Sequence, residues 1–324
     1  MHEQAPEGAR ADPQSGVERL IAHVKTMAPV RTAVVHPCDA LSLGGALDAR
    51  DAGVITPVLV APLAKLRAVA ADTWLELGDS EVVDVPHSHA AAATAARLAG
   101  KGEVQALMKG SLHSDEYLGA ILAPEACLRT ERRLTHCYIM QTASYPRPFI
   151  ITDAAINIAP TLEIKADIVR NAIDLAHSIG IAEPKVAILA AVETVNPRML
   201  STLDAAALCK MADRGQITGG VLDGPLAFDN AVSPDAARVK GIKSAVAGQA
   251  DILVVPDLES GNMLAKQLEY MGQADSAGIV MGARVPIVLT SRSDSRRTRI
   301  ASCAIALILA HRQRAFVQCE GSRV

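Results

Sequence analysis

The sequence predicts an α/β protein made of two three-layer α/β domains with a cleft between them, and three observations carry that reading. Short apolar runs alternate with helical stretches along almost the whole chain, the pattern of strand–helix–strand units that lay down a parallel sheet. Half of the 324 residues are hydrophobic while aromatics make up only 2%, a mix that suits buried strands covered by Ala-rich helices. The length, finally, is enough for two domains of ordinary size.

Each element follows from local pattern. RTAVVH (31–36) is a strand and precedes a helix through Ala46 and Ala49. TPVLVAP (56–62), EVVDVP (81–86) and VQALMKG (104–110) continue the strands, separated by helices such as the Ala-rich stretch 88–99. Trp74, in the helical region after Ala61, is expected to pack. Around 135–152 the pattern changes to two close strands, THCYIMQ and PFIIT, divided by ASYPRP, which marks a domain junction or an antiparallel insert. A second series follows: a helix at 162–179, KVAILAA, a helix near 197–213, TGGVLDG, a helix near 232–240, DILVVP, GIVMG and VPIVLTS. The segment from Ser295 to His311 carries helical periodicity through Ile300, Ala304, Ile305, Leu307 and Ile308, with Ser291, Asp294 or Ser295 as its cap. The boundaries that result are a first domain of 1–143 plus 292–324, with residues 1–15 flexible, and a second of 144–291.

Composition narrows the function. With a net charge of −3 and so few aromatics, the chain lacks the basic balance and stacking platforms of a nucleic-acid reader. Six scattered cysteines form no C-x-x-C pair and no metal-like spacing with histidine, so reduced thiols and no metal site are expected. The polar first fifteen residues lack the apolar stretch of a signal peptide, and no apolar run reaches the ~18 residues of a membrane span. The expected compartment is the cytoplasm, with no membrane partner.

Polar clusters sit just after apolar strands in both halves, where ligands of α/β proteins bind. Lys109, Gly110, Ser111 and His113 could meet an anion or form an ordinary turn with a cap at Ser114. Asp153 and Asn157 leave a strand before Pro160; Asp229 and Asn230 follow a Gly-Pro turn; Asp257, Glu259 and Asn262 lie between strand and helix. Neither these nor the Gly-rich VHPCDALSLGGAL matches a phosphate loop or a dinucleotide fingerprint. Cys38 reads as a packed thiol. VLTSRSDSRRTRIAS (288–302) places Arg292, Arg296, Arg297 and Arg299 where a strand gives way to a helix. Cations in a first helical turn are mildly unfavourable, by roughly 0.3–1 kcal/mol each, so an anion should offset them: a phosphate ligand, or acids elsewhere in the fold. The alternative is a solvated stripe of Arg292, Arg296 and Arg299 on one helical face.

Five segments in order, TDAAINIAPT, AVETVNPRMLST, GPLAFDNAV, SAVAGQADILVVPDLESGN and VPIVLTSRSDS, resemble the phosphate acyltransferases, the family of phosphotransacetylase and phosphotransbutyrylase. The resemblance spans roughly residues 100–312. It implies reversible transfer of a short acyl group between coenzyme A and inorganic phosphate, giving acyl phosphate, with coenzyme A as substrate and no permanently bound cofactor. It implies a fold like that of isocitrate and isopropylmalate dehydrogenases, with the C-terminal helices returning to the first domain, and a homodimer. Ser291 and Arg292 match the family's Ser-Arg pair and are the expected catalytic residues. Lys109, Ser111, Asn157, Asp229, Asn262 and Arg296 are the expected substrate contacts.

Two positions depart from the acetyl-specific pattern. Thr298 stands where those members commonly carry an aspartate proposed as the thiol's base, and an arginine after the Gly-Asn pair is missing, with Tyr270 nearby. Both lean toward the butyryl branch, whose motif Ser-Arg-Ala-Asp-Ser is here Ser-Arg-Ser-Asp-Ser. The expectation is a phosphate acetyltransferase-type enzyme, with a phosphate butyryltransferase or a non-catalytic acyl-CoA sensor as alternatives. A nicotinamide dehydrogenase is disfavoured by the absent glycine fingerprint.

Overall fold

The computed structural model describes residues 16–291 and 293–321, with side chains from Leu20 to Gln313 apart from Arg292. The expectations for residues 1–15 and for Arg292 therefore lie outside the described residues. The chain first lays down α1 (Gly16–Val24), β1 (Val30–Val35), α2 (Ala40–Asp51), β2 (Ile55–Ala61), α3 (Leu63–Thr73), β3 (Glu81–Asp84), α4 (Ser88–Gly100), β4 (Ala106–Lys109) and α5 (Ser114–Leu122). The adjacent strands β5 (Thr135–Gln141) and β6 (Phe149–Thr152) follow. The second series is α6 (Leu162–Ser178), β7 (Lys185–Leu189), α7 (Leu200–Asp213), β8 (Val221–Leu226), α8 (Phe228–Val232), α9 (Pro234–Val239), β9 (Ile252–Val254) and α10 (Leu258–Tyr270). The chain returns through β10 (Asp275–Met281), β11 (Ile287–Val288) and α11 (Arg296–Gly321).

All the strands join one mixed sheet in the order β3-β2-β1-β4-β11-β10-β5-β6-β9-β7-β8. β1 to β4 are parallel, as are β6, β9, β7 and β8, and the antiparallel pairs β11–β10, β10–β5 and β5–β6 lie between these two groups. The change of pattern at 135–152 is thus an antiparallel centre. The sequence reading places β10 and β11 in the second unit, yet β11 pairs in parallel with β4, Ile287 opposite Leu107. VPIVLTS forms a strand of two residues only: Pro286 has no N–H to give the ladder, and the chain leaves the sheet before Ser291.

Strands buried on both faces explain the uninterrupted apolar runs: five of the six β1 positions, Val34 and Val35 among them, are wholly enclosed. On one face the core is continuous, from Leu43, Leu47 and Leu66 through Ala301, Ile305 and Leu307 to Ile168, Val169 and Leu208. On the opposite face it is split. One cluster holds Ala91, Ala95, Ala99, Tyr117 and Ile121 of α4 and α5. The other holds Ala231, Val246, Ala265 and Val255. Helices therefore cover both faces, and the outer layer on one side is divided between the two parts of the sheet.

Trp74 departs from expectation. It caps α3 in the left-handed region at φ 55° and is 93% exposed, so it packs against nothing. Among the described residues no helix is long and apolar enough to cross a membrane.

Candidate active site

The parallel strands β1 and β4 and the short β11 end side by side, and their exits carry polar residues. Lys109 ends β4 and Gly110 and Ser111 follow it; Thr290 and Ser291 follow β11; and both sets, with Asp39 and Arg299, line one small hollow of about 20 Å³. That is room for about one water, so a ligand must part these segments to enter. Larger hollows exist elsewhere, among them one of about 680 Å³ bounded by Ile139, Pro146, Pro148 and Ile308, but it gathers none of the expected site residues.

Gly110 makes the close approach of the strand ends feasible. A Cβ there would lie 2.3 Å from the Val35 carbonyl and 2.6 Å from that of His36. Gly110→Ala should therefore cost roughly 1–3 kcal/mol in stability and push Ser111 away from β1. Thermal unfolding would register the first effect, and an unaltered melting temperature would refute the clash.

Ser111 is tied down on three sides. Its hydroxyl donates to the His36 carbonyl at 2.9 Å, accepts from the Cys38 amide at 3.1 Å and lies 3.2 Å from His36 Nδ1. His36 itself sits in the left-handed region at φ 54°, unusual for a side chain of this size. Burial, the largest effect, and the Lys65 ammonium lower the pKa of its imidazole, against the pull of the Ser111 backbone, Glu116 and Asp39. Cys38 is half-buried, and burial pushes its thiol up, away from nucleophilic reactivity.

Asp294 organises the Ser291 loop. Its Oδ2 accepts from the Ser291 N–H at 2.7 Å, and burial raises its pKa against the effect of that bond. The Ser291 hydroxyl shares a hydrogen bond with Ser293 at 3.0 Å. Ser295 caps α11: its Oγ accepts from the Thr298 N–H at 3.0 Å and lies 3.0 Å from Thr298 Oγ1. Thr298 is buried and engaged with that cap.

The helix-start arginines meet different partners. Arg296 pairs with Asp48 of α2 at 2.8 Å, its side chain 69% exposed. Arg297 pairs with Asp275 at 3.2 Å. Arg299, by contrast, is buried, donates to the Leu41 carbonyl and reaches the Ser291 carbonyl at 3.3 Å. It braces the Ser291 loop against the start of α2.

Other expected residues gather at a second turn. Asp153, buried after β6, accepts from the N–H groups of Ala155, Ile156 and Asn157. The Asn157 amide donates to the Leu134 carbonyl at 2.9 Å and to Asp153 at 2.6 Å. Asn262 of α10 donates to the Ala154 carbonyl at 3.2 Å. One turn further on the same helix, Lys266 approaches Asp294 at 3.9 Å and Glu269 at 2.8 Å. α10 thus touches both the Asp153 turn and the Ser291 loop across the divided face. Asp229 stands apart, paired with Lys240 at 3.0 Å, and the hydrogen bond from that ammonium holds its carboxyl below the usual range.

The fold therefore brings Lys109, Ser111 and Ser291 together, places Asn157 and Asn262 at a neighbouring turn, and puts Arg296 and Asp229 in ion pairs outside the hollow. Sequence reasoning missed His36, Asp39 and the bracing role of Arg299. A polar cluster after the strand RTAVV was the available signal for the first two, but its glycine spacing fits no known phosphate loop. Among the described residues no group of His, Cys, Asp and Glu could hold a metal ion.

Residues 87–307 match the family model described as phosphate acetyl/butaryl transferase. A phosphate acetyltransferase of Rhizobium meliloti is 61% identical over 301 residues, 93% of this chain and 95% of that protein. A phosphate butyryltransferase of Clostridium acetobutylicum is 40% identical over 291 residues, 90% of this chain and 97% of that protein. Among solved structures, a branched-chain phosphotransacylase from Enterococcus faecalis V583 superposes with a TM-score of 0.78 at 29% identity, covering 87% of this chain and 99% of that one.

Proposed function

Because the chain belongs to the phosphate acetyl/butaryl transferase family, we propose that Lys109, Ser111, Ser291 and Arg292 form the centre where it moves an acetyl group between coenzyme A and phosphate. It is an acyltransferase of the phosphate acetyltransferase type. Relatives of that name at 54–61% identity outweigh the butyryltransferases at 36–40% over comparable coverage, against the lean suggested by Thr298 and Tyr270. The observation that carries the site assignment is the convergence of Lys109, Ser111 and Ser291 on one hollow at adjacent strand ends.

The chemistry follows from charge. The coenzyme A sulfur attacks the acyl phosphate carbonyl directly, and phosphate departs with the electron pair of the broken C–O bond. Lys109 and Arg292 meet the phosphate and offset the charge it gains on leaving. Backbone N–H groups and the Ser291 hydroxyl orient its oxygens, with Ser111 in the wall of the hollow. Asn157 and Asn262 hold the facing turn, and Arg296 at the rim attracts the nucleotide's phosphates. The first unit, 1–143 plus 292–324, and the second, 144–291, close on the substrates between them. The active form is a cytoplasmic homodimer.

Thioester formation from acetyl, propionyl and butyryl phosphates with coenzyme A, followed by ultraviolet absorbance without added metal or nicotinamide, tests the reading. Turnover is expected, fastest with acetyl phosphate. Folded protein that turns over none of the three would instead be an acyl-CoA sensor. Light scattering tests the dimer.

A further inference from the structure

A coenzyme A thiol has a pKa of ~8.5 and is mostly protonated at neutral pH, so a transferase of this type needs a group that takes its proton. Thr298 has no basic atom and faces the Ser295 cap. Asp294 is enclosed and engaged with the Ser291 N–H and Lys266. His136 is completely buried between Gly278 and Tyr138, its pKa lowered to about 4 chiefly by burial. His36 stands just behind the lining of the hollow: it is partly exposed, and its ring touches Ser111, a lining residue.

The Ser111 hydroxyl donates to the His36 carbonyl at 2.9 Å and lies 3.2 Å from Nδ1. In the tautomer with the ring hydrogen on Nδ1, that nitrogen donates to the hydroxyl and the lone pair lies on Nε2. The left-handed backbone of His36 is held by the Cys38 N–H at 2.8 Å and the Ser111 N–H at 2.9 Å, both donating to its carbonyl. A strained conformation so over-determined is characteristic of functional sites. The charged groups facing the ring are Lys65 from α3, Asp39 before α2 and Glu116 from α5, with Lys109 at the adjoining strand end.

Resting on the acyltransferase reading above, we propose that His36 is the catalytic base of the reaction, its Nε2 accepting the proton of the coenzyme A thiol. The S–H bond breaks and an N–H bond forms; the sulfur bonds to the acyl carbon as the carbon–phosphate oxygen bond breaks. The imidazolium then returns its proton to the departing phosphate or to water. In the reverse direction the same group protonates the leaving thiolate.

The test uses two substitutions compatible with a positive φ. His36→Asn keeps an amide donor toward Ser111 and a left-handed backbone, but has no base at the Nε2 position. His36→Gly leaves a ring-sized space. The wild type should lose kcat/KM as the pH falls through the His36 pKa, below 6.5, because the protonated ring accepts nothing. His36→Asn should lower kcat by roughly a hundred- to ten-thousandfold with little change in the KM for coenzyme A, and should lack that acid limb. Added imidazole should restore turnover to His36→Gly in proportion to its concentration, which a purely structural histidine would not show. Should His36→Asn misfold by circular dichroism, the glycine variant and its rescue decide. Wild-type kcat and an intact acid limb in either folded variant would overturn His36 as base while leaving the transferase reading standing. A wild type without turnover would sink both.

Discussion

Arg292→Ala is expected to lower the catalytic efficiency for acyl phosphate about ten- to hundredfold. The loss corresponds to one charge-assisted contact to phosphate, worth ~1.5–3 kcal/mol, and each 1.36 kcal/mol is about a factor of ten. Arg292 directly follows Ser291, whose backbone is fixed by Asp294 and Arg299 at the edge of the hollow. Arg292→Lys should recover only part of the loss, since an ammonium cannot reproduce the two-pronged guanidinium fork. Steady-state kinetics on both substrates decides: wild-type constants in folded Arg292→Ala would remove this residue from the site.

Lys165→Met is expected to destabilise the fold by about 3–5 kcal/mol, because it strands a buried carboxylate. The Lys165 ammonium of α6 lies 2.7 Å from Asp204 of α7, with side-chain exposures of 6% and 10%. The pair sits between two helices on the continuous core face, and neither partner lines the hollow. Replacing both partners, Lys165→Met with Asp204→Leu, should recover most of the lost stability, since two well-packed apolar groups leave no unpaired charge. Denaturant unfolding of the two variants tests this, and a single mutant as stable as the double would refute the coupling. Activity per folded molecule should be unchanged in both.

Most elements were legible because each carries its own periodicity. The strands at 31–36, 56–62, 135–141 and 149–152 and the helices at 88–99 and 162–179 fall within a residue or two of the observed bounds. Their apolar residues recur at the period their geometry demands. What depends on distant partners was not legible. Arg296 and Arg299 look equivalent in the sequence, yet one sits against Asp48 at the surface and the other is buried against the Leu41 carbonyl. That difference arises only when α11 docks on α2. The left-handed turn at His36 is equally silent, since a histidine gives no local sign of a positive φ and the stabilising N–H groups include one from Ser111 in another strand's exit. Trp74 misled for the opposite reason, an apolar residue read as core that ends a helix at the surface.

The two-residue strand β11 has a consequence for how the polypeptide matures during synthesis. β4 finds its neighbour on that side only when Ile287 and Val288 arrive opposite Leu107 and Met108, and the inner face of β1, β2 and α2 is covered only when Ala301 to Ala310 follow. The segment made first must therefore wait on the ribosome with one strand edge unpaired and one apolar face bare while the intervening chain is translated. Pairings of such long sequence separation form slowly and leave sticky surface exposed meanwhile. A nascent chain stalled before Pro286 would be a natural client for chaperones, whereas one extended past Ala310 would carry everything needed to shut that edge.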